Sequence, residues 1–443
     1  MQLLCLSVSH HKTPVEYRES LSLGSDAIDD AFSNCPIRTG RFEPISEMVI
    51  LSTCNRLEIY ALIVLAEGVE ESSRSALEPV MTYLQEVFEV PVSLVEPFFQ
   101  PYLGIQAVEH LFQVAAGLDS IAIGETQILG QVSRALDAAL RLGSARHVLS
   151  SLFRSAIHAG KRVQNETEIG RHPTSISSIA VQLAEAKLGT LSGQKILIIG
   201  AGKMGRHAIA ALKERGARQI ALTNRTYKHS SEMVEQFGGG VDVLPFERLA
   251  EGLVEADLVF TSTAAHLPII RQDLVAEVMS QRPQRALTMI DLAVPRNVDT
   301  NVNEIPNVQL LDMDDLQSYV NHADLSNHQI IASAKLILEE ETAEYEKLLR
   351  VIPFIGELHR KVEKIRQQEV ERALRNLHNP EPQISEQIEL LSRALVRKIL
   401  HEPTMHLRTE SNHETLNDYV DTLAKLFDLS ESVVNLPYQE GER

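Results

Sequence analysis

Apolar positions along the chain follow three regimes. In the first, short runs of strand length lie at Leu3–Ser9, Glu47–Leu51 and Arg56–Val64, and helical spacing fills Asp26–Asn34 and Glu70–Glu89. Strand, helix, strand, strand, helix is an α+β order. From Gly104 to Glu166 apolar residues recur every three or four positions, as in Val108, Leu111, Phe112, Val114 and Ala115, which predicts helices. Residues 1–165 therefore form one expected domain. A helix over Ser175–Lys187, stopped by Gly189, connects it across 166–190 to the next.

In the second regime, 191–312, apolar strands at Lys195–Ile199, Gln219–Thr223, Asp257–Thr261, Leu287–Leu292 and Val308–Leu311 alternate with helical segments. That alternation predicts a parallel sheet of Rossmann type. The third, 313–443, shows only amphipathic helical patterns at Ile330–Leu349, Phe354–Leu377 and Ile384–Leu400, punctuated by Pro353 and Pro380-Glu-Pro382. Helices this long, with wide apolar stripes, pack on a partner, so this region is expected to dimerise. The last residues, Gln439–Arg443, read as a frayed tail. The fold class is multidomain α/β: an α+β first domain, a Rossmann-type domain and an all-α third domain.

Composition narrows the function. The first residues lack the basic start and small-residue cleavage site of an export signal. Nowhere do about 18 uninterrupted apolar residues occur, so no membrane span is expected. The three cysteines, Cys5, Cys35 and Cys54, show no CxxC spacing, which argues against disulfides and structural zinc and points to a reducing cytoplasm. Sixteen histidines include His10-His11 but no HExxH, so no motif-held metal is expected. A net charge of −18 is the wrong sign for a general nucleic-acid binder. Any phosphate contact must come from a local patch. Residues 141–171 offer one, with Arg141, Arg146, Arg154, Lys161, Arg162 and Arg171 against Glu166 and Glu168, although a solvated helix face reads the same way.

Gly200-Ala201-Gly202-Lys203-Met204-Gly205 follows the strand Lys195–Ile199 and opens a helix, the context a dinucleotide loop requires. Phosphates would rest on the helix N-terminus, where free N–H groups and the dipole favour an anion. The next strand ends in Thr223-Asn224-Arg225 where an NAD site usually places a carboxylate. Arg225 suits a 2′-phosphate, which favours NADPH.

Ser52-Thr-Cys-Asn-Arg-Leu-Glu-Ile-Tyr60 lies between two strands and places Cys54 at a turn. Pattern alone leaves Cys54 between a small buried hydrophobe and a nucleophile. With Glu58 and Tyr60, Thr53-Cys-Asn-Arg56 resembles the active-site signature of glutamyl-tRNA reductases. So do His10-His-Lys-Thr-Pro-Val-Glu-Tyr-Arg-Glu19, Gly117-Leu-Asp-Ser120 with Gly124-Glu-Thr-Gln-Ile-Leu-Gly-Gln131, and Gly200–Gly205, all in family order. Two positions depart from the family pattern: Thr126 stands where Pro is more frequent, and Thr13-Pro14 lacks the intervening Ala. The resemblance implies Cys54 as nucleophile, with Thr53, Asn55, Arg56, Ser120, Glu125, Thr126, Gln127 and Gln131 lining a glutamate pocket. It assigns a role in activity to His110, which by itself reads as a histidine on an apolar helix face.

The implied chemistry starts from an ester, the glutamate α-carboxyl on the terminal ribose of tRNA. Arg56 would grip the γ-carboxylate and Glu125 the α-ammonium. Ester carbonyls resist hydride, whereas a thioester on Cys54 accepts it more readily, yielding glutamate-1-semialdehyde. The resemblance further implies a homodimer, the first step of tetrapyrrole synthesis, and a handover of the aldehyde to glutamate-1-semialdehyde aminomutase. Two other readings compete. An NADP-dependent dehydrogenase of a free metabolite would leave the first-domain motifs unexplained, and a non-catalytic scaffold would keep Cys54 in the core.

Overall fold

The computed structural model describes residues 2–21, 44–64, 73–88, 96–170, 175–265, 267–323, 328–377, 382–409 and 413–429. The expected helix at Asp26–Asn34, Cys35, Arg171 and the terminal tail lie outside the described residues.

Four strands build the first sheet: β1 (Gln2–Ser9), β2 (Ile45–Ser52), β3 (Arg56–Ile63) and β4 (Gln100–Leu103). They pair antiparallel in the order β2-β3-β1-β4. The edge strand β4 and the short helix α1 (Val15–Ser20) escaped the apolar pattern because each is too short to establish a period. Helices α2 (Ser73–Phe88), α3 (Ile105–Ala115), α4 (Gln127–Leu142) and α5 (His147–Glu166) complete the domain. β3 is buried along its whole length, with Tyr60 edge-on to Phe153 of α5. The α5 N-terminus is closed by a buried carboxylate: Glu47 accepts from the N–H groups of Arg146, Val148 and Leu149 at 3.0, 3.0 and 2.8 Å.

The connecting helix α6 (Ile176–Leu188) is capped by Ser175, whose hydroxyl accepts from the Ser178 N–H, and ends at Gly189. Beyond it come β5 (Lys195–Ile199), α7 (Lys203–Glu214), β6 (Gln219–Thr223), α8 (Tyr227–Gln236), β7 (Asp242–Val243), α9 (Leu249–Glu255), β8 (Leu258–Thr261), α10 (Gln272–Gln281), β9 (Leu287–Asp291), β10 (Val308–Leu311) and α11 (Met313–Ala323). All six strands run parallel in the order β10-β9-β8-β5-β6-β7. This is the doubly wound order that binds a dinucleotide where the strand order reverses. Two apolar cores cover its faces.

The helical region consists of α12 (His328–Asn376), α13 (Pro382–Thr409) and α14 (His413–Phe427). Two helices broken at Pro353 are expected from the pattern, yet α12 runs through that position as one helix of 49 residues. Its two halves are each held from outside: Ala334, Leu338 and Tyr345 enter the first domain's core, and Val351, Phe354, Ile355 and Leu358 join a core with α13 and α14. Packing on both sides outweighs the proline's missing hydrogen bond.

In the first domain, α5 crosses α3 at Gly160, where an added Cβ would meet the Ala115 carbonyl oxygen at 2.6 Å and Leu129 Cδ1 at 2.8 Å. Gly160→Val should therefore destabilise the first domain by about 1–3 kcal/mol, read as a lower denaturant midpoint. An unchanged midpoint would mean that the helices separate at no cost.

Candidate active site

Thr53, Cys54 and Asn55 join β2 to β3 in a turn built by a threonine. The Thr53 N–H donates to the Arg56 carbonyl at 2.9 Å, and its hydroxyl accepts from the N–H groups of Asn55 and Arg56 at 3.1 and 3.2 Å. The Asn55 carbonyl takes the His10 N–H at 3.0 Å, tying the turn to the chain beyond β1. Cys54 stands at the tip, exposed, beside a small recess that also borders Val8, Arg18, Leu21, Arg56 and Leu57. The residue is open to solvent, yet protein crowds the thiol closely enough to desolvate it. Desolvation, with the Glu125 carboxylate adding to it, pushes the thiol up to about 11. A free thiolate is therefore scarce at neutral pH, and the site needs something to generate it.

Beneath the turn lies a buried polar network. Arg56 is 3% exposed; its Nη1 is 2.7 Å from Glu58 Oε1 and 2.8 Å from Asp119 Oδ2, and Nη2 donates to the Asp119 carbonyl. Glu58 also receives the Tyr60 hydroxyl at 2.7 Å, the Ser7 hydroxyl at 3.2 Å and His110 Nε2 at 2.8 Å. His110 is buried on α3 with its ring stacked on Tyr102, centroids 4.1 Å apart. Asp119 closes the far end on His11 Nε2 at 2.8 Å. Burial alone would raise Glu58, but His110, Arg56 and Tyr60 outweigh it and hold the carboxyl at about 2. Burial acts the same way on Asp119, where hydrogen bonding from His11 and the charge of Arg56 keep the carboxyl below its ordinary range. Ligand atoms of Cys5, Glu58 and His110 lie within 4.8 Å of one another, but the guanidinium on the same Glu58 oxygen would repel a divalent cation.

The second wall is the segment from Gly117 to Glu125, closed by the Gly124 N–H on the Gly117 carbonyl at 3.0 Å. It places Asp119 on Arg56 and Glu125 within electrostatic reach of Cys54, with Ser120 half-buried between them. Thr126 precedes α4, Gln127 opens it and Gln131 follows one turn later. Ile121 and Ala122, from the same segment, pack in a core of the Rossmann-type domain. One loop thus touches both domains.

The dinucleotide loop fits its expected ligand. Gly200 has φ +120°, and a Cβ there would lie 2.7 Å from the Ser262 carbonyl oxygen; a Cβ on Gly205 would collide with the Gly200 carbonyl. A Cβ on Gly202 would meet no protein atom within 4 Å, which leaves open the space a pyrophosphate needs above the start of α7. Ala201 N–H donates to Asn224 at 3.4 Å, and Arg225 is exposed at the end of β6. Lys203 and Met204 begin α7, whose Met204 carbonyl accepts the Ser177 hydroxyl of α6 at 2.9 Å.

Comparison with known proteins matches residues 6–167 to the family described as glutamyl-tRNAGlu reductase, N-terminal domain, 182–319 to shikimate / quinate 5-dehydrogenase, and 333–429 to glutamyl-tRNAGlu reductase, dimerisation domain. The glutamyl-tRNA reductase of Acaryochloris marina is 37% identical over 98% of both chains. This chain belongs to the glutamyl-tRNA reductase family. The Chloroflexus aggregans member is 36% identical over 98% of this chain and 96% of its own. A solved glutamyl-tRNA reductase from Methanopyrus kandleri is 30% identical, covering 96% of this chain and 99% of that one, with a TM-score of 0.42.

Within the reductase family's frame, two features were not evident from sequence. Arg56, expected to face a substrate carboxylate, has its guanidinium turned inward onto Glu58 and Asp119. Arg18 sits in the recess beside Cys54, its Nη1 3.2 Å from Asn55 Oδ1. Its signal was present, for Val15, Arg18 and Leu21 are spaced by three and all are buried, so a charge lies on the apolar stripe. Among the basic residues, Arg162 is engaged by Glu166, Glu340 and Glu341 at 2.9, 3.3 and 2.8 Å, which weakens the expected phosphate patch.

Glu58 and Asp119 both titrate lower in the fold than in the unfolded chain. Their stabilisation is complete above the unfolded values of 4.5 and 3.8 and is lost as pH falls toward the folded ones, near 2 for Glu58. Melting temperature should decline as pH drops below about 4.5, and Glu58→Gln should flatten that decline while lowering the plateau, since the buried Arg56 then keeps Asp119 as its one carboxylate partner, at a cost of about 1–3 kcal/mol. A variant with the full wild-type acid slope would remove Glu58 from the account.

Proposed function

We propose that this chain reduces glutamyl-tRNA(Glu) to glutamate-1-semialdehyde with NADPH, releasing the tRNA, as the first step of tetrapyrrole (5-aminolevulinate) synthesis. The observation that carries the reading is the exposed Cys54 at a hydrogen-bonded turn, within electrostatic reach of Glu125 on the loop that touches both domains. Full-length similarity to proteins named glutamyl-tRNA reductase supports the substrate over a free metabolite.

The chain's own groups account for the steps. Glu125 receives the α-ammonium of the bound glutamyl ester, and neutralising that carboxylate lowers the Cys54 thiol. The thiolate sulfur attacks the acyl carbonyl, an S–C bond forms, the C–O bond to the ribose breaks, and the ribose oxygen takes up a proton. Thr53 and Asn55 fix the sulfur's direction. Arg56, restrained by Glu58, His110 and Asp119, presents fixed positive charge behind the turn, and Ser120, Thr126, Gln127 and Gln131 offer polar contacts to the glutamyl group. Gly200, Ala201, Gly202, Lys203, Met204 and Gly205 would cradle the cofactor's pyrophosphate, with Asn224 and Arg225 at its 2′-phosphate. A nicotinamide bound there would supply hydride to the thioester carbonyl. Cleavage of the C–S bond then releases the aldehyde and returns Cys54 as thiolate, and the aldehyde's instability in water suits direct handover to an aminomutase.

A homodimer follows from the same reading. Leu390, Leu391, Leu395 and Ile399 of α13 are 54, 63, 52 and 65% exposed, an apolar face suited to a second copy.

Incubated with glutamyl-tRNA carrying labelled glutamate, the protein should retain label as a thioester without NADPH and release labelled aldehyde with it. Cys54→Ser should abolish both; label on the variant, or charged tRNA left untouched by wild type, overturns the reading. Glu125→Gln should act in opposite directions on two rates. Alkylation of Cys54 by iodoacetamide should rise roughly threefold as a thiol-raising charge disappears, while thioester formation falls about tenfold for want of the ammonium's partner. Parallel changes in both rates would deny Glu125 this role.

A further inference from the structure

Helix α1 reaches out of the first domain. Arg18 uses every part of its buried guanidinium: Nε donates to the Thr13 carbonyl at 3.0 Å, Nη1 to Asn55 Oδ1 at 3.2 Å and the Cys54 carbonyl at 3.5 Å, and Nη2 to Asp314 Oδ1 at 2.5 Å. The other Asp314 oxygen accepts the Val15 N–H at 3.0 Å. Asp314 lies in the first turn of α11, whose Met313 and Leu316 are core residues of the Rossmann-type domain. The neighbouring Glu19 takes Arg296 in a fork, from N–H, Nε and Nη2 at 2.6, 2.8 and 2.9 Å.

Arg296 is itself held in place. Its loop follows β9, whose last residue, Asp291, is fully buried and accepts the N–H groups of Ala293, Asn297 and Val298 at 3.0, 2.6 and 2.9 Å and the Thr261 hydroxyl at 2.6 Å. Asn297 Oδ1 in turn accepts the Thr263 N–H and hydroxyl, both at 2.8 Å. Both receptors of α1, Asp314 and Arg296, thus stand past the C-terminal ends of β10 and β9, the sheet edge at which such domains bind their ligands.

We propose that Arg18 and Glu19 form a latch between the two domains, in which Glu19 docks on Arg296 and Arg18, held by Asp314, positions the Cys54 turn. The two domains are thereby coupled: Arg18 ties the turn, already closed by its own Thr53 hydrogen bonds, to the docked Rossmann-type domain. The consequence for chemistry rests on the function proposed above. With the latch open the thioester still forms but waits in water, where hydrolysis breaks the acyl C–S bond, gives glutamate and returns a proton to the sulfur.

The test uses Glu19→Arg, Arg296→Glu and the double exchange, none of which touches the sulfur or the dinucleotide loop. Solution scattering of the cofactor-free protein should show a larger radius of gyration in each single variant and the wild-type value in the exchange. Label captured on Cys54 without NADPH should stay within about twofold of wild type, whereas with NADPH the ratio of aldehyde to free glutamate should fall on the order of tenfold and recover in the exchange. Arg18→Lys should lower the same ratio without opening the domains as far, because Glu19 remains docked. Single variants with wild-type dimensions and product ratio, or an exchange that restores neither, overturn the latch. Wild-type protein that captures no label would instead count against the proposed function, and the scattering comparison would still decide the latch.

Discussion

A guanidinium almost without access to water is the constraint around which the first domain is organised. Arg56 follows the cysteine turn directly, so its neutralisation fixes where that turn can lie. Two carboxylates converge on it, Glu58 two residues along the same strand and Asp119 from the distant loop after α3. Each carries a histidine on its other side, His110 for Glu58 and His11 for Asp119. Removing one partner of such an interior charge is costly. The turn, the α3 loop and the chain after β1 therefore stabilise one another.

The polar chain changes the meaning of several residues. His110 and Arg56 are both held on Glu58, and Arg56 also borders the recess beside Cys54. Glu125 has the opposite character. It is half-buried, and desolvation alone raises its carboxyl.

The Rossmann-type half was legible nearly residue by residue, because parallel strands buried on both faces write continuous apolar runs and Gly200–Gly205 marks the turn. Cys54 at a turn was legible from the flanking strands. The direction of Arg56 was not, because sequence does not reveal that Asp119, more than 60 positions away, would claim it. Nor was the continuity of α12 through Pro353, which depends on cores supplied by other helices. Arg18 was legible only as an anomaly, a charge spaced with Val15 and Leu21, whose explanation lies in Asn55 and Asp314.

That continuous α12 makes the molecule a lever mounted on a beam. At 1.5 Å per residue its 49 residues extend about 70 Å, and no joint interrupts them. One stretch is set in the core beneath Cys54, another in the bundle with α13 and α14. One uninterrupted helix therefore links the cysteine domain to the bundle, while the dinucleotide-binding half is carried between α6 and α11. Joining two copies through their bundles would hold both sulfurs at a set separation, whatever the suspended halves are doing.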